Sequence, residues 1–258
     1  MNSGYSVAFP VFLAEEVQGE PFQLTGETIG TAFALPQSYV LTAGHVGREI
    51  KAAAPRIGVV GLSDPSSPAL KGARVVDVEA LDGDVAVLKV AFPSVDSARW
   101  FHTLKWQQIP LNPFDQVRSM GFPYGTLRVD NKLKLVQRVF QGHVVSRIIE
   151  FKPLGAAGRP FAVYELSFAA PRGLSGAPLL NCVGSRTLHG MIIGNSESKM
   201  VVFHAEEIVK EAAATTVVEQ SEVLRLGIAV TADHILGCRS DLLGGNVRGF
   251  LEATGKLA

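Results

Sequence analysis

The chain has 258 residues, 24 Lys plus Arg against 24 Asp plus Glu, and 47% hydrophobic against 19% charged residues. This is the make-up of a folded chain long enough to bury a substantial core, and it excludes a disordered one. Zero net charge removes the electrostatic case for nucleic acid or an anionic membrane, the two cysteines rule out a disulfide framework and a multi-cysteine zinc site, and no apolar run reaches the ~18 residues of a membrane span.

The first apolar stretch, Val7–Ala14, is short, is broken by Pro10 and follows no basic segment, so it does not read as a signal peptide. A cytoplasmic location is expected, with Cys182 and Cys238 as free thiols. Short runs rich in Val, Ile and Phe then recur between Gly, Pro, Asp and Ser clusters, which is the pattern of strands. The predicted strands of the first half are Thr28–Leu35, Tyr39–Thr42, Ile57–Leu62, Ala73–Glu79 and Val85–Val90. Ser63–Pro68 reads as a surface loop between them. The segment Phe92–Phe114 holds Pro93, Pro110, Pro113, Trp100 and Trp106 without a clean period and reads as a linker between two β halves. The second half offers Gln116–Met120, Leu133–Phe140, His143–Ile149, Ala162–Ser167, Pro178–Leu180, Leu188–Ile193, Met200–Phe203 and Leu226–Val230, with a loop at Leu154–Pro160. Glu206–Ala213 and Ile235–Thr254 read as helices, although four glycines interrupt the second. Many short strands without alternating long helices imply an all-β fold of barrels or sandwiches.

Three residues carry the chemistry. Ser175 sits in Arg172-Gly173-Leu174-Ser175-Gly176-Ala177-Pro178, where glycines permit a tight turn that exposes a hydroxyl beside backbone N–H groups. An ordinary Gly-rich turn is the competing reading. His45, in Thr42-Ala43-Gly44-His45-Val46, follows an apolar strand, and histidine is the residue type suited to act as a general base, with a structural role as the competing reading. Asp84 stands at the mouth of the strand Val85–Val90, placed either to make a turn or to orient a histidine; Asp82 and Asp77 compete for the second role. The chain order His, Asp, Ser is that of chymotrypsin-type enzymes, unlike subtilisin or the α/β-hydrolases.

With these motifs the chain resembles the trypsin-like serine peptidases, most of all the bacterial high-temperature-requirement (Deg-type) protease domains. Gly30-Thr31-Ala32-Phe33, Thr42-Ala43-Gly44-His45-Val46, Asp84-Val85-Ala86-Val87-Leu88, Gly121-Phe122-Pro123-Tyr124-Gly125, Gly142-His143-Val144-Val145-Ser146, Gly173-Leu174-Ser175-Gly176-Ala177-Pro178 and Gly190-Met191-Ile192-Ile193-Gly194-Asn195 carry the likeness from Thr28 to Val230. The resemblance implies two antiparallel six-stranded β-barrels with the site between them and a C-terminal helix. Residues 1–110 would bring His45 and Asp84; residues 111–258 would bring Ser175 and the helix. It implies peptide-bond hydrolysis through an acyl-enzyme, an oxyanion hole made by the N–H groups of Gly173 and Ser175, a polypeptide substrate, and no cofactor or metal.

Departures from the pattern shape the expectations. Leu174 replaces the aspartate that in trypsin pairs with a newly cut N-terminus, so activation by that ion pair is not expected. Ala169 and Ala170 replace an acidic pocket floor. Together with Ile192, Ile193 and Asn195 they imply cutting after small or medium apolar residues and not after Lys or Arg. Only residues 231–258 follow the last matching strand, too few for the peptide-binding PDZ domain such proteases carry. The remaining histidines, His102, His143, His189, His204 and His234, lack metal-ligand spacing, and the tryptophans and Cys182 read as packing. The alternative reading is a latent or inactive pseudoprotease that binds peptides or is regulated by an activating protein partner.

Overall fold

The structure is a computed structural model that describes residues 7–15, 23–62, 71–94, 101–124, 126–129, 132–152, 159–182, 187–209 and 214–257. The loops expected at Ser63–Pro68 and, for the most part, at Leu154–Pro160, together with Trp100 and Gly125, lie outside the described residues. The first half forms β1 (Phe9–Glu15), β2 (Gln23–Leu35), β3 (Tyr39–Ala43), α1 (Gly44–Ala52), β4 (Ile57–Leu62), β5 (Lys71–Leu81) and β6 (Val85–Ala91). The strands close into a barrel in the order β1-β2-β3-β6-β5-β4, with β4 pairing back onto β1. Closure leaves no open edge. β3 and β6 are buried on both faces because one face fills the barrel and the other is covered. Helix α1 supplies part of that cover: a Cβ on Gly47 would lie 2.7 Å from Ala86 and 3.2 Å from Val78.

The second half contains β7 (Lys105–Trp106), β8 (Gln116–Gly121), β9 (Thr126–Val129), β10 (Lys132–Leu135), β11 (Arg138–Phe151), β12 (Phe161–Leu166), β13 (Pro178–Asn181), β14 (Thr187–Val209) and β15 (Ala214–Thr231). Then come α2 (Ala232–Gly237), the strand pair β16 (Arg239–Ser240) and β17 (Gly245–Asn246), and α3 (Val247–Ala253). The sheet runs β13-β8-β11-β12-β15-β14, and β13 also pairs with β14, which completes a second six-strand ring. β7 adds to β14 in parallel. The architecture is thus the expected all-β, chymotrypsin-like one.

Several predicted elements change shape. The run expected as one strand over Leu133–Phe140 divides into β10 and the start of β11, which continues without a break through His143–Ile149. Leu188–Ile193 and Met200–Phe203 belong to one strand, and its pairing with β15 extends to Val209↔Ala214. The helix expected at Glu206–Ala213 is therefore strand through Val209, and residues 210–213 lie outside the described set. Ala, Glu and Lys favour a helix locally, and cross-strand pairing overrides that preference here. The C-terminal helix is two short helices. Thr231 and Asn246 cap their N-termini by accepting the N–H groups of His234 and Gly249, and Gly244, at φ +72°, turns the chain between them.

One hydrophobic cluster spans both barrels, joining Phe33, Leu41 and Val87 to Trp106, Leu188, Met191 and Ile235. Trp106 is fully buried, stands 6.0 Å from the Phe33 ring, and donates its backbone N–H to the carbonyl of Lys256. It thus serves as inter-barrel packing, as expected. Cys182, expected in the core, is only half-buried.

Candidate active site

His45 enters the site because β3 ends at Ala43 and α1 begins at Gly44. The Gly44 N–H donates to the Asp84 carbonyl at 2.6 Å. A side chain at Gly44 would collide with Asp84, its Cβ 2.8 Å from Oδ1 and 2.9 Å from the backbone carbon. Asp84 itself has φ +56°, an uncommon conformation for a residue with a side chain, and follows Gly83 at φ +77°. The turn aims its carboxylate at the helix. Oδ1 accepts the His45 backbone N–H at 2.8 Å and Arg48 Nη2 at 3.0 Å, and Oδ2 faces His45 Nδ1 at 2.7 Å. A carboxylate only accepts, so Nδ1 carries the proton and Nε2 is left as the base. The other two acids do not reach the ring: Asp77 accepts the N–H of its neighbour Val78, and the Asp82 carbonyl faces His234 Nε2 at 3.4 Å and Cys238 Sγ at 3.6 Å.

Ser175 lies between two residues in the left-handed region, Gly173 at φ +92° and Gly176 at φ +88°. At Gly176 a Cβ would fall on the Thr31 carbonyl and within 3.1 Å of Ala43 N, so only glycine lets the turn press against the strand that leads to His45. Gly30 does the same from β2: a Cβ there would be 2.7 Å from Val46 and 3.1 Å from the Ser175 carbonyl. These two contacts bring the serine turn beside the histidine helix. Among the described residues no hydrogen bond joins Ser175 Oγ to the imidazole, whose one ring partner is Asp84.

The four carbonyls from Arg172 to Ser175 are occupied. Tyr124 N–H donates to the Arg172 carbonyl at 3.3 Å, the Thr31 hydroxyl to Gly173 at 2.7 Å, the Ala177 N–H to Leu174 at 2.9 Å and the Thr31 N–H to Ser175 at 2.8 Å. The Leu174 and Gly176 N–H groups donate to Pro171 and Ile192. Among the described residues, within 173–177 the N–H groups of Gly173 and Ser175 are left without an acceptor. An oxygen bearing negative charge next to Ser175 would find both donors available.

The expected pocket residues fall in two groups. Asn195, on β14, pairs its side chain with both backbone groups of Ala170: the Ala170 N–H donates to Oδ1 at 2.6 Å, and Nδ2 donates to the Ala170 carbonyl at 2.8 Å. That amide bridge spans the gap between β14 and the segment before Ser175. Ala169 beside it is exposed, and Gly227 donates its N–H to the Phe168 carbonyl at 2.8 Å. Ile192 and Ile193 are buried and face the two hydrophobic clusters, Ile192 that of Leu174, Leu179 and Ala229, and Ile193 the one shared by the barrels.

Sequence reasoning missed Arg48, Thr31 and His234. Arg48 sits one helical step beyond His45 on α1, the one signal that could have found it. Thr31 reaches the serine turn, and His234 the turn that precedes Asp84, through contacts more than 140 residues apart in the chain. Two further histidines lie away from the His45–Asp84 pair. His143 stacks on Phe114, and burial pushes the His189 pKa below the usual histidine value. Among the described residues no three His, Cys, Asp or Glu side chains stand close enough to hold a metal ion, and no helix is long and apolar enough to cross a membrane.

Comparisons with known proteins bear on the fold and the family. No curated protein matches the chain. Among solved structures, the HtrA-type protease AlgW with a decapeptide superposes with a TM-score of 0.51 at 15% identity, over 88% of this chain and 61% of that one. The MamO protease domain from Magnetospirillum magneticum, in its apo form, gives 0.50 at 15% identity over 88% and 92%. Deg5 gives 0.50 at 16% over 74% and 80%. At such identities the likeness is one of fold, and the chain spans about three fifths of AlgW. The sequence profile described as Trypsin matches residues 15–201, a stretch that contains His45, Asp84 and Ser175. A match over most of the chain, on a fold of two closed barrels with a histidine–aspartate pair against a glycine-flanked serine, makes this chain a member of the trypsin family of serine peptidases.

Proposed function

We propose that the protein is a serine endopeptidase, one unit in which residues 1–110 supply His45 and Asp84 and residues 111–258 supply Ser175. In this reading Ser175 Oγ attacks the scissile carbonyl while His45 Nε2 takes its proton. The carbonyl oxygen becomes an oxyanion held by the Gly173 and Ser175 N–H groups. His45 then protonates the leaving amine, and the acyl-enzyme is cleared by water activated the same way. Asp84 accepts the hydrogen bond from Nδ1, which fixes the ring's orientation and stabilises the imidazolium. The observation that carries the proposal is the His45 Nδ1–Asp84 Oδ2 bond of 2.7 Å beside a turn in which the N–H groups of Gly173 and Ser175 are spare. The substrate is an extended polypeptide with a small residue, alanine-sized, on the amino side of the cut. Support for that comes from the Asn195–Ala170 bridge and from the lack of a carboxylate in the Ala169–Ala170 wall.

Labelling with a fluorophosphonate tests the proposal. Wild type is expected to label, and Ser175→Ala and His45→Ala are not; labelling that survives both changes refutes the assignment. A second reading, a latent peptide-binding module released by a protein partner, is favoured by one observation, the missing hydrogen bond between Ser175 and His45. Under it the isolated protein binds peptide and does not label. A cytoplasmic location is part of the proposal and rests on the two free thiols; cell fractionation tests it.

A further inference from the structure

Thr31 is fully buried on β2 of the first barrel, and its polar atoms reach into the second. Its N–H donates to the Ser175 carbonyl at 2.8 Å. Its hydroxyl donates to the Gly173 carbonyl at 2.7 Å and accepts the Phe122 N–H at 3.1 Å. Room for that hydroxyl is made by Gly121, where a Cβ would come within 2.7 Å of Thr31 Oγ1. Two neighbours steady the arrangement: the Thr42 hydroxyl donates to the Thr31 carbonyl at 2.7 Å, and the Thr28 hydroxyl to the Phe122 carbonyl at 2.9 Å.

The consequence concerns Gly173. Glycine rotates freely, and a flip of the Arg172–Gly173 peptide would replace an inward N–H by an inward carbonyl oxygen, which repels an oxyanion. One bond opposes the flip directly, and a second anchors the peptide that follows. Tyr124 N–H holds the Arg172 carbonyl, and Thr31 Oγ1 holds the Gly173 carbonyl. The same hydroxyl ties Phe122, two residues from Tyr124, to Gly173. One buried group therefore couples both restraints, and it comes from the opposite barrel.

We propose that Thr31 is a positioning residue for the oxyanion hole: its hydroxyl, clamped between Phe122 N–H and Gly173 C=O, holds the Gly173 peptide N–H inward before substrate arrives. The proposal rests on the peptidase reading above. It makes the docking of the first barrel a condition for a formed hole in the second.

The test compares Thr31→Ser, which keeps the hydroxyl, with Thr31→Ala, which differs from it by that hydroxyl alone, and with the isosteric Thr31→Val. Turnover is followed on a peptide with alanine before the cut. Removing an oxyanion donor outright costs about 10²–10³-fold in kcat, so loosening one is expected to cost about 10–100-fold in the Ala and Val variants, with KM within about 2-fold and Thr31→Ser near wild type. A second measurement separates positioning from folding. An alanine-ended peptide aldehyde, which forms an oxyanion on Ser175, should bind the Ala variant more weakly by the factor lost in kcat. Binding of the intact peptide to Ser175→Ala protein should not change when Thr31→Ala is added. Equal kcat in the Ser and Ala variants overturns the proposal, as does equal weakening of aldehyde and intact peptide. Loss of folding in both Ala and Val variants while Ser folds also overturns it, because the hydroxyl would then serve the barrel interface. Wild type that neither labels nor cleaves overturns the peptidase reading and this one with it; wild type that labels, with Ser and Ala variants alike, overturns Thr31 alone.

Discussion

Replacing Asn195 by glycine should convert the specificity of the enzyme. The side chain bridges β14 to Ala170 through two hydrogen bonds of 2.6 and 2.8 Å, and in the proposed function this bridge narrows the pocket beside the serine turn. Its loss removes two partly exposed bonds worth about 0.5–1.5 kcal/mol each, a cost the fold should survive. The vacated space would admit a phenyl ring, whose burial is worth about 1.5–3 kcal/mol over leaving it in water. At about 1.4 kcal/mol per factor of ten, kcat/KM for a phenylalanine peptide should rise about 10–150-fold relative to its alanine counterpart. The assay is hydrolysis of two peptides differing only at the residue before the cut, with fluorophosphonate titration to count competent sites. An unchanged ratio in a variant that still labels fully would show that Asn195 does not border the pocket.

Other outcomes follow from the same geometry. Asp84→Asn should cut turnover about 10⁴-fold, because an amide at Oδ2 favours the wrong imidazole tautomer, whereas Arg48→Ala removes an exposed ion pair and should move stability by no more than about 1 kcal/mol; kinetics and urea unfolding of the two variants check this. Stability should fall on acidification in two stages, read as the urea midpoint against pH. Burial holds His189 neutral in the fold, so protonation of the unfolded chain draws stability away as pH drops below the ordinary value of 6.5. Burial opposes ionisation of Glu79, but hydrogen bonds from Ser240 Oγ and the N–H groups of Asp241 and Leu242 outweigh it and hold the carboxyl low; its contribution is complete above 4.5 and is lost as pH falls through the folded value. Glu79→Gln should flatten that lower stage, and an unaltered profile would refute the assignment. Burial and the Asp82 carboxylate push the Cys238 thiol up to about 12, so at pH 8 iodoacetamide should modify half-buried Cys182 and spare Cys238, as peptide mass mapping would show.

Much of the fold was written in local patterns. Strands such as Ile57–Leu62 and Val85–Val90 are apolar runs bounded by turn residues, and a bounded run declares itself without knowledge of its neighbours. The candidates His45, Asp84 and Ser175 stood out for a similar reason: each has a glycine beside it at the edge of a regular element, where close backbone approach is needed. Length and register were less so. Glu206–Val209 favours a helix by composition, and only the opposing strand from Ala214 onward makes it extended.

The sequence by itself determined which residues could act and in what local setting, because turns, caps and glycine freedom depend on a few neighbouring residues. Tertiary structure decided between Asp84 and its rivals Asp77 and Asp82, since the choice depends on which carboxylate the turn aims at α1. It also decided that Asn195 spans to Ala170, and that Thr31 grips the serine turn from the opposite barrel. Hydrogen bonds between residues far apart in the chain have no period and no motif. They exist only once each barrel has closed and, for the Thr31 bond, once the two barrels have met.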